Sequence, residues 1–241
     1  MNKTRGGSGR GRGGRGGGPG HRHRRARAAA GEGDIREARG QDTRAALLAA
    51  GRAAFTRRGF DGASVRDITW EAGANLGAVT YHFGSKRGLY VAVLVEYLTP
   101  LVDRVGRTAA SPGTPQERLE AVVDAFFDYV AENPDIPRLM MQELAAGKVP
   151  PSELVALIRR NAGYVAGIVA EGASEGSMRP VHPFLGAVSI VSQLVFISIM
   201  SPLLREVGGL DITDPAVRVD VVRHVKASVR EGLFCSREAS A

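Results

Sequence analysis

The chain has 241 residues, a 44% apolar share and a formal net charge of +7, which bounds it to one sizeable core or two smaller ones in a soluble globular protein. The charge is uneven: residues 1–40 hold 11 basic and 3 acidic side chains, a net +8, and residues 41–241 hold 21 and 22, so the body is near neutral. One cysteine, Cys235, excludes an internal disulfide framework and fits a reducing cytosol, so a cytoplasmic location and an incidental thiol are expected.

Residues 1–40 hold thirteen glycines among the basic residues and too little apolar surface to offset the entropy of ordering. They are expected to form a disordered tail. No secretory signal is expected, because Gly and Arg follow where an apolar core should stand. Gly9, Gly11 and Gly14 spell G-x-G-x-x-G, but no strand precedes them and no helix follows, so a dinucleotide site is excluded. His21 and His23 are read as solvated tail rather than a metal tract. Two readings of the tail stay open, nonspecific attraction to phosphates and an extension without consequence.

From residue 41 onward helical periods dominate. Leu47, Ala50 and Ala54 form one stripe with Leu48 and Phe55 on its flank, and Gly59 ends that helix. Ser64-x-x-Asp67 starts the next helix, with Val65, Ile68 and Ala72 inward and Gly73 as the stop. Asn75 is expected to cap a third, short helix running to Phe83. Ser85 caps a fourth, 86–107, with Leu94, Leu98, Leu101 and Val105 on one face.

"SPGTPQ" at 111–116 is a break, followed by helices over 117–132, 137–146 and a longer one marked by Leu154, Ile158, Ala162, Val165 and Val169. The stretch from Leu185 to Leu204 carries no formal charge and is about as long as a membrane span. Its serines, Gln193 and Pro202 favour burial in protein instead. In the last helix Asp214 caps, Pro215 stands first, and Val217, Val221, Val225 and Val229 recur every four residues. No period-2 run is long enough for a strand. The fold class expected is all-α with about nine helices.

Residues 64–83 pattern as a helix-turn-helix. In that motif the second helix enters the major groove and its first residues meet base edges. Gly77 and Ala78 are small enough to let the backbone approach. Thr80 offers a hydroxyl for a base edge and a methyl for thymine. Tyr81, His82 and Lys86 can donate to phosphate oxygens. An ordinary helical turn with Tyr81 and His82 packed or solvated fits the pattern equally well.

The stretch "SVRDITWEAGANLGAVTYHFGSKRGLY", 64–90, resembles the DNA-binding signature of the TetR/AcrR family of transcriptional regulators, and "RRGFDGAS" extends the match upstream. Ala72-Gly73, Gly77, Tyr81-His82-Phe83 and Lys86 carry the resemblance, which covers about residues 43–92. It implies that Ser64, Asn75, Leu76, Gly77, Ala78 and Thr80 face DNA and that Tyr81, His82, Lys86 and Thr43 hold its backbone. Thr80 stands where an aromatic is usual and Leu76 where a polar residue is frequent. The implied domains are a tail at 1–40, a helix-turn-helix domain at 41–88, an effector-binding and dimerisation domain at 89–234, and a C-terminal tail at 235–241.

The resemblance further implies a homodimer closed by the last two helices, a double-stranded DNA operator as partner, no membrane, and a small-molecule effector that releases a repressor. Phe126, Phe127, Tyr129, Met140, Met141, Tyr164 and Phe196 are the large side chains available for its pocket, and core packing is the competing role for each. Gln142, Glu143, Arg160 and Asn161 are pocket ends or surface. Neither a cofactor nor a metal site is expected. The five histidines are scattered, and no phosphate loop or nucleophile elbow occurs, so no enzyme is expected. A nonspecific nucleic-acid binder driven by the Arg/Gly tail is the alternative.

Overall fold

The computed structural model describes residues 20–145, 147 and 149–234, with side chains from Arg39 onward. The described elements are α1 (Gly20–Gly62), α2 (Val65–Glu71), α3 (Ala78–Phe83), α4 (Lys86–Ala109), α5 (Pro115–Glu132), α6 (Ile136–Ala145), α7 (Ser152–Ser174), α8 (Pro183–Gly208) and α9 (Pro215–Leu233). Among the described residues the only other regular feature is an isolated bridge between Met178 and Phe234. The fold is all-α.

The chain divides into two units, Met1–Arg44 and Ala45–Ala241. In the first, the described backbone is helical from Gly20, within the segment where a disordered tail was expected. Alanine and arginine, both strong helix formers, dominate 22–30, and no proline falls between Gly20 and Gly62. Residues 1–19 and 235–241 lie outside the described residues.

In the second unit the caps follow the sequence closely. Gly59 interrupts α1 at φ 69°, ψ 177°, where the stop was expected. The Ser64 hydroxyl accepts from Asp67 N, and the Ser85 hydroxyl accepts from Gly88 N at 3.0 Å. The α2 C-terminus is a Schellman motif: Ala74 N donates to Thr69 O at 2.8 Å and Gly73 N to Trp70 O at 3.1 Å, with Gly73 at φ 62°. Thr114 and Glu117 close a reciprocal capping box at α5. Asp214 caps α9 through Ala216 N, with Pro215 as its first residue.

The third helix departs from expectation. It begins at Ala78, capped by Gly77 without a side-chain bond, rather than at Asn75. Asn75 O instead accepts from Ala78 N at 3.0 Å, closing a turn. A Schellman ending carries the chain away from helical geometry, and the turn is needed to bring it back.

Two apolar clusters hold the second unit together. One joins Leu47, Leu48, Ala54 and Phe55 of α1 to Ile68, Val79 and the first half of α4 (Leu89, Tyr90, Val93, Leu94, Leu98), with Ile136, Leu139 and Leu154. The other takes Leu101 and Val105 from the second half of α4 with α5, α7, α8 and α9. The face of α8 at Gly186, Ala187, Ile190, Leu194 and Ser198 is buried. Its other residues Phe184, Leu185, Val188, Phe196, Leu203 and Val207 are exposed. Among the described residues α8 is the helix long and apolar enough to cross a membrane, and 28% of its apolar window is buried.

At the junction of α3 and α4 the chain permits no side chain at residue 88, because a Cβ there would lie 1.9 Å from Phe83 O. Gly88→Ala is therefore expected to lower unfolding stability by about 1–3 kcal/mol with an unchanged denaturant slope, as measured by urea unfolding.

Candidate nucleic-acid interface and ligand cavity

The helix-turn-helix buries one face of each short helix and exposes the other. Ile68 and Thr69 of α2 and Ala78 and Val79 of α3 are buried, with Val65, Ala72 and Phe83 packed against them. On the outer side Arg66 and Trp70 share one face of α2, four residues apart. Thr80 and Tyr81 project from α3, and Asn75, Leu76 and Gly77 are exposed in the turn before it. Trp70 and Tyr81 are each 84% exposed, and so large an exposed aromatic surface marks a contact face. The His82 ring stands edge-on to Tyr81 at 4.8 Å.

The charges sort themselves. Arg57 pairs with Glu71 at 3.1 Å and Arg58 with Asp67 at 2.5 Å. Arg66 has no ion pair among the described residues, so its guanidinium is available to a phosphate. Lys86 Nζ donates to Asp61 O at 3.2 Å and sits 4.7 Å from the Phe60 ring centroid, anchoring the start of α4. The acceptor side of the Ser64 hydroxyl is used by its cap.

One expected contact is corrected. Ala78 is 6% exposed and belongs to the small core, because the turn rotates the first residue of α3 inward. Thr43 belongs to the first unit, where its hydroxyl donates to Arg39 O at 2.8 Å. Arg66 and Trp70, exposed on the outer face of α2, were not among the expected contacts. Their i,i+4 spacing outside the Val65–Ile68–Ala72 stripe was the available signal.

Between α4, α5, α6, α7 and α8 lies a cavity of about 720 Å³. Phe126, Met140, Met141 and Phe196 line it, as the sequence reading anticipated. Phe127, Tyr129 and Tyr164 do not, and each is corrected to packing. Phe127 is 1% exposed inside the α5 core. The Tyr129 hydroxyl donates to Tyr97 O, which turns it toward α4. The Tyr164 ring lies against Gly106, where a Cβ would meet it at 2.7 Å. Ile158, expected in the α7 core stripe, faces the cavity instead.

Helix α6 touches both sites. Met140, Met141 and Leu144 line the cavity. Glu143, 4% exposed, takes a bidentate bond from Arg87 in the first turn of α4, one arm at 2.7 Å. The Tyr90 hydroxyl donates to Leu139 O at 3.0 Å. Burial, then the Glu143 charge, pushes that phenol up to about 12 against the opposing Arg87. Just before α6, Asp135 accepts from Arg52 Nε at 2.7 Å and from the Thr56 hydroxyl at 3.0 Å. The Arg52 guanidinium also lies 3.9 Å from the Tyr97 ring centroid. Burial alone raises the Asp135 carboxyl, but the bonds from Arg52 and Thr56 outweigh it and hold it below the usual range.

The comparisons with known proteins agree with this geometry. Residues 47–93 match the description "Bacterial regulatory proteins, tetR family" and residues 115–229 match "Tetracyclin repressor-like, C-terminal domain". The chain belongs to the TetR family. TetR-family membership makes it a helix-turn-helix, DNA-binding transcriptional regulator.

Among the relatives of this TetR-family chain, the transcriptional repressor NicS of Pseudomonas putida is 24% identical over 83% of this chain and 96% of its own. The transcriptional activator FasR of Mycolicibacterium smegmatis is 34% identical over 44% of this chain, and the match spans 46% of FasR. The crystal structure of the regulator FadR from Bacillus subtilis, in complex with stearoyl-CoA, shares the fold at a TM-score of 0.67 and 16% identity, over 78% of this chain and 97% of that one.

The Asp135 carboxylate sets a pH dependence. Because its folded pKa lies below its unfolded value of about 3.9, its contribution is complete above that value and fades as pH falls through the folded pKa. Thermal melts from pH 5 to pH 2 should fall less steeply for Asp135→Asn than for the parent.

Proposed function

We propose that this regulator is a homodimeric repressor of the cytoplasm that is released from its operator by a small molecule bound in the 720 Å³ cavity. The observation that carries the reading is helix α6, which lines the cavity with Met140, Met141 and Leu144 and is tied to the DNA-binding side through Glu143 and Arg87. A ligand that prefers one position of α6 shifts the orientation of α4, and the two recognition helices leave their spacing on DNA. NicS, matched over nearly its whole length, is a repressor, which supports repression over activation. FadR, crystallised with stearoyl-CoA, supports a small-molecule effector.

In this reading Asn75, Leu76, Gly77 and Thr80 meet base edges, while Ser64, Tyr81, His82 and Lys86 hold phosphates. Arg66 and Trp70 join them from α2. Thr43 remains a proposed backbone contact. Leu185, Leu203 and Val207, exposed on α8 and outside the cavity lining, pack against α8 and α9 of a second copy, which removes them from water without a membrane. The described side chains form a binding surface and a cavity rather than a reactive centre, and the chain is read as a regulator and not a catalyst.

Footprinting of the full chain on the DNA upstream of its own gene at about 0.15 M salt tests this. Protection of two half-sites about 34 Å apart, or a multiple of that, is expected. Uniform coating without a preferred site would instead support a tail-driven nonspecific binder. Arg66→Ala should weaken operator binding and reduce the salt-dependence slope by about 1. Glu143→Gln should change operator affinity by about fivefold or more with the slope unchanged, because it alters the position of α4 rather than a phosphate contact.

A further inference from the structure

The lining of the cavity between α4 and α8 is informative in what it holds and what it lacks. Among the described residues no charged side chain is part of it. Its polar members are Asn161, Ser192 and Gln193. The Ser192 hydroxyl already donates to Ser189 O at 3.2 Å. The Asn161 Oδ1 is buried with no hydrogen-bond partner. Buried amide oxygens are nearly always paired, and an unpaired one costs about 1–3 kcal/mol, so this atom calls for a donor.

The cavity is also long. Its α8 wall runs from Phe184 through Ala187, Val188, Val191, Ser192 and Val195 to Phe196. At 1.5 Å per residue that stripe extends about 18 Å along the helix. Opposite stand Met140 and Met141, whose unbranched thioethers adapt to irregular apolar shapes.

Resting on the reading of this cavity as the effector site, we propose that its ligand is an uncharged, elongated apolar molecule with one hydroxyl-type polar group seated at Asn161. An ionised carboxylate or ammonium drawn into the cavity would meet neither a counter-charge nor enough hydrogen bonds to replace its water. A charged headgroup is accommodated only outside the mouth. The single polar seat sets the register of the ligand along the α8 stripe, and the apolar walls supply the affinity.

The test is titration calorimetry of the full chain at pH 8 with three probes of one chain length, 1-decanol, decanoate and decyltrimethylammonium, all below their micelle concentrations. Saturable binding of 1-decanol at one molecule per chain is expected, with both ions weaker by about tenfold or more. Against 1-chlorodecane, which lacks the hydroxyl proton, 1-decanol should bind several-fold tighter to the parent and equally to Asn161→Leu. Either ion binding within threefold of the alcohol, or an alcohol preference that survives Asn161→Leu, overturns the proposal. The same samples are then assayed for operator affinity. Alcohol binding that leaves operator affinity unchanged keeps the ligand class and removes the effector-site reading, so the two fail separately.

Discussion

Helix α4 belongs to two hydrophobic cores at once, and the rest of the second unit is arranged around that constraint. Its first half, Leu89 to Leu98, closes the core under the helix-turn-helix. Its second half, Leu101 and Val105, closes the core shared by α5, α7, α8 and α9. A rigid helix buried at both ends cannot be displaced at one end without repacking the other. The expected boundary between residues 88 and 89 falls inside α4, where packing continues from one core to the next without a gap. The position of α3 follows from α4, because Gly88 admits Phe83 O to close contact and Ser85 fixes the first turn.

The cavity lies where the second half of α4 separates from α6 and α8. Among the described residues helix α6 both lines it and is tied to the DNA-binding side by the Arg87–Glu143 ion pair, with Arg52–Asp135 just before it. The Arg87–Glu143 pair has a buried carboxylate and the Arg52–Asp135 pair is half-buried on both sides, whereas the pairs on the outer surface, such as Arg223–Asp220, are exposed. Exposed pairs contribute little because water screens them. A pair with a buried member has a definite geometry and a high cost of separation, since the remaining charge would be stranded. Such contacts favour discrete positions of α6 over a continuum, and two-position behaviour is what a ligand-operated switch requires.

The helices and their ends were legible along the chain, since caps and stripes are local. Ser64, Ser85, Thr114 and Asp214 cap helices through bonds to backbone groups two or three residues away. The stripes Leu47–Ala50–Ala54 and Leu94–Leu98–Leu101–Val105 are buried as their spacing requires. The exposed side of the short third helix was legible for Tyr81 and Thr80. Ala78 was misplaced because a tiny side chain is equally compatible with the core and with close approach to a duplex. The start of α3 was misread because Asn75 has the chemistry of a cap but sits in a turn created by the Schellman ending of α2.

By itself the sequence determined the all-α class and the uncharged run from Leu185 to Leu204, because these rest on composition and on spacings shorter than two helical turns, while the helix-turn-helix and the family were legible through the resemblance carried by residues 64–90. Only the tertiary structure decided which of the large side chains border the cavity. Phe126 lines it and Phe127 does not, although they are neighbours, because one residue of helix turns the side chain by about 100°. The partners of Glu143 and Asp135 were likewise invisible, lying 56 and 83 residues away in the chain. Whether a carboxylate is a surface charge or a tie between helices depends on how the helices cross, and that is decided by the packing of both cores against α4.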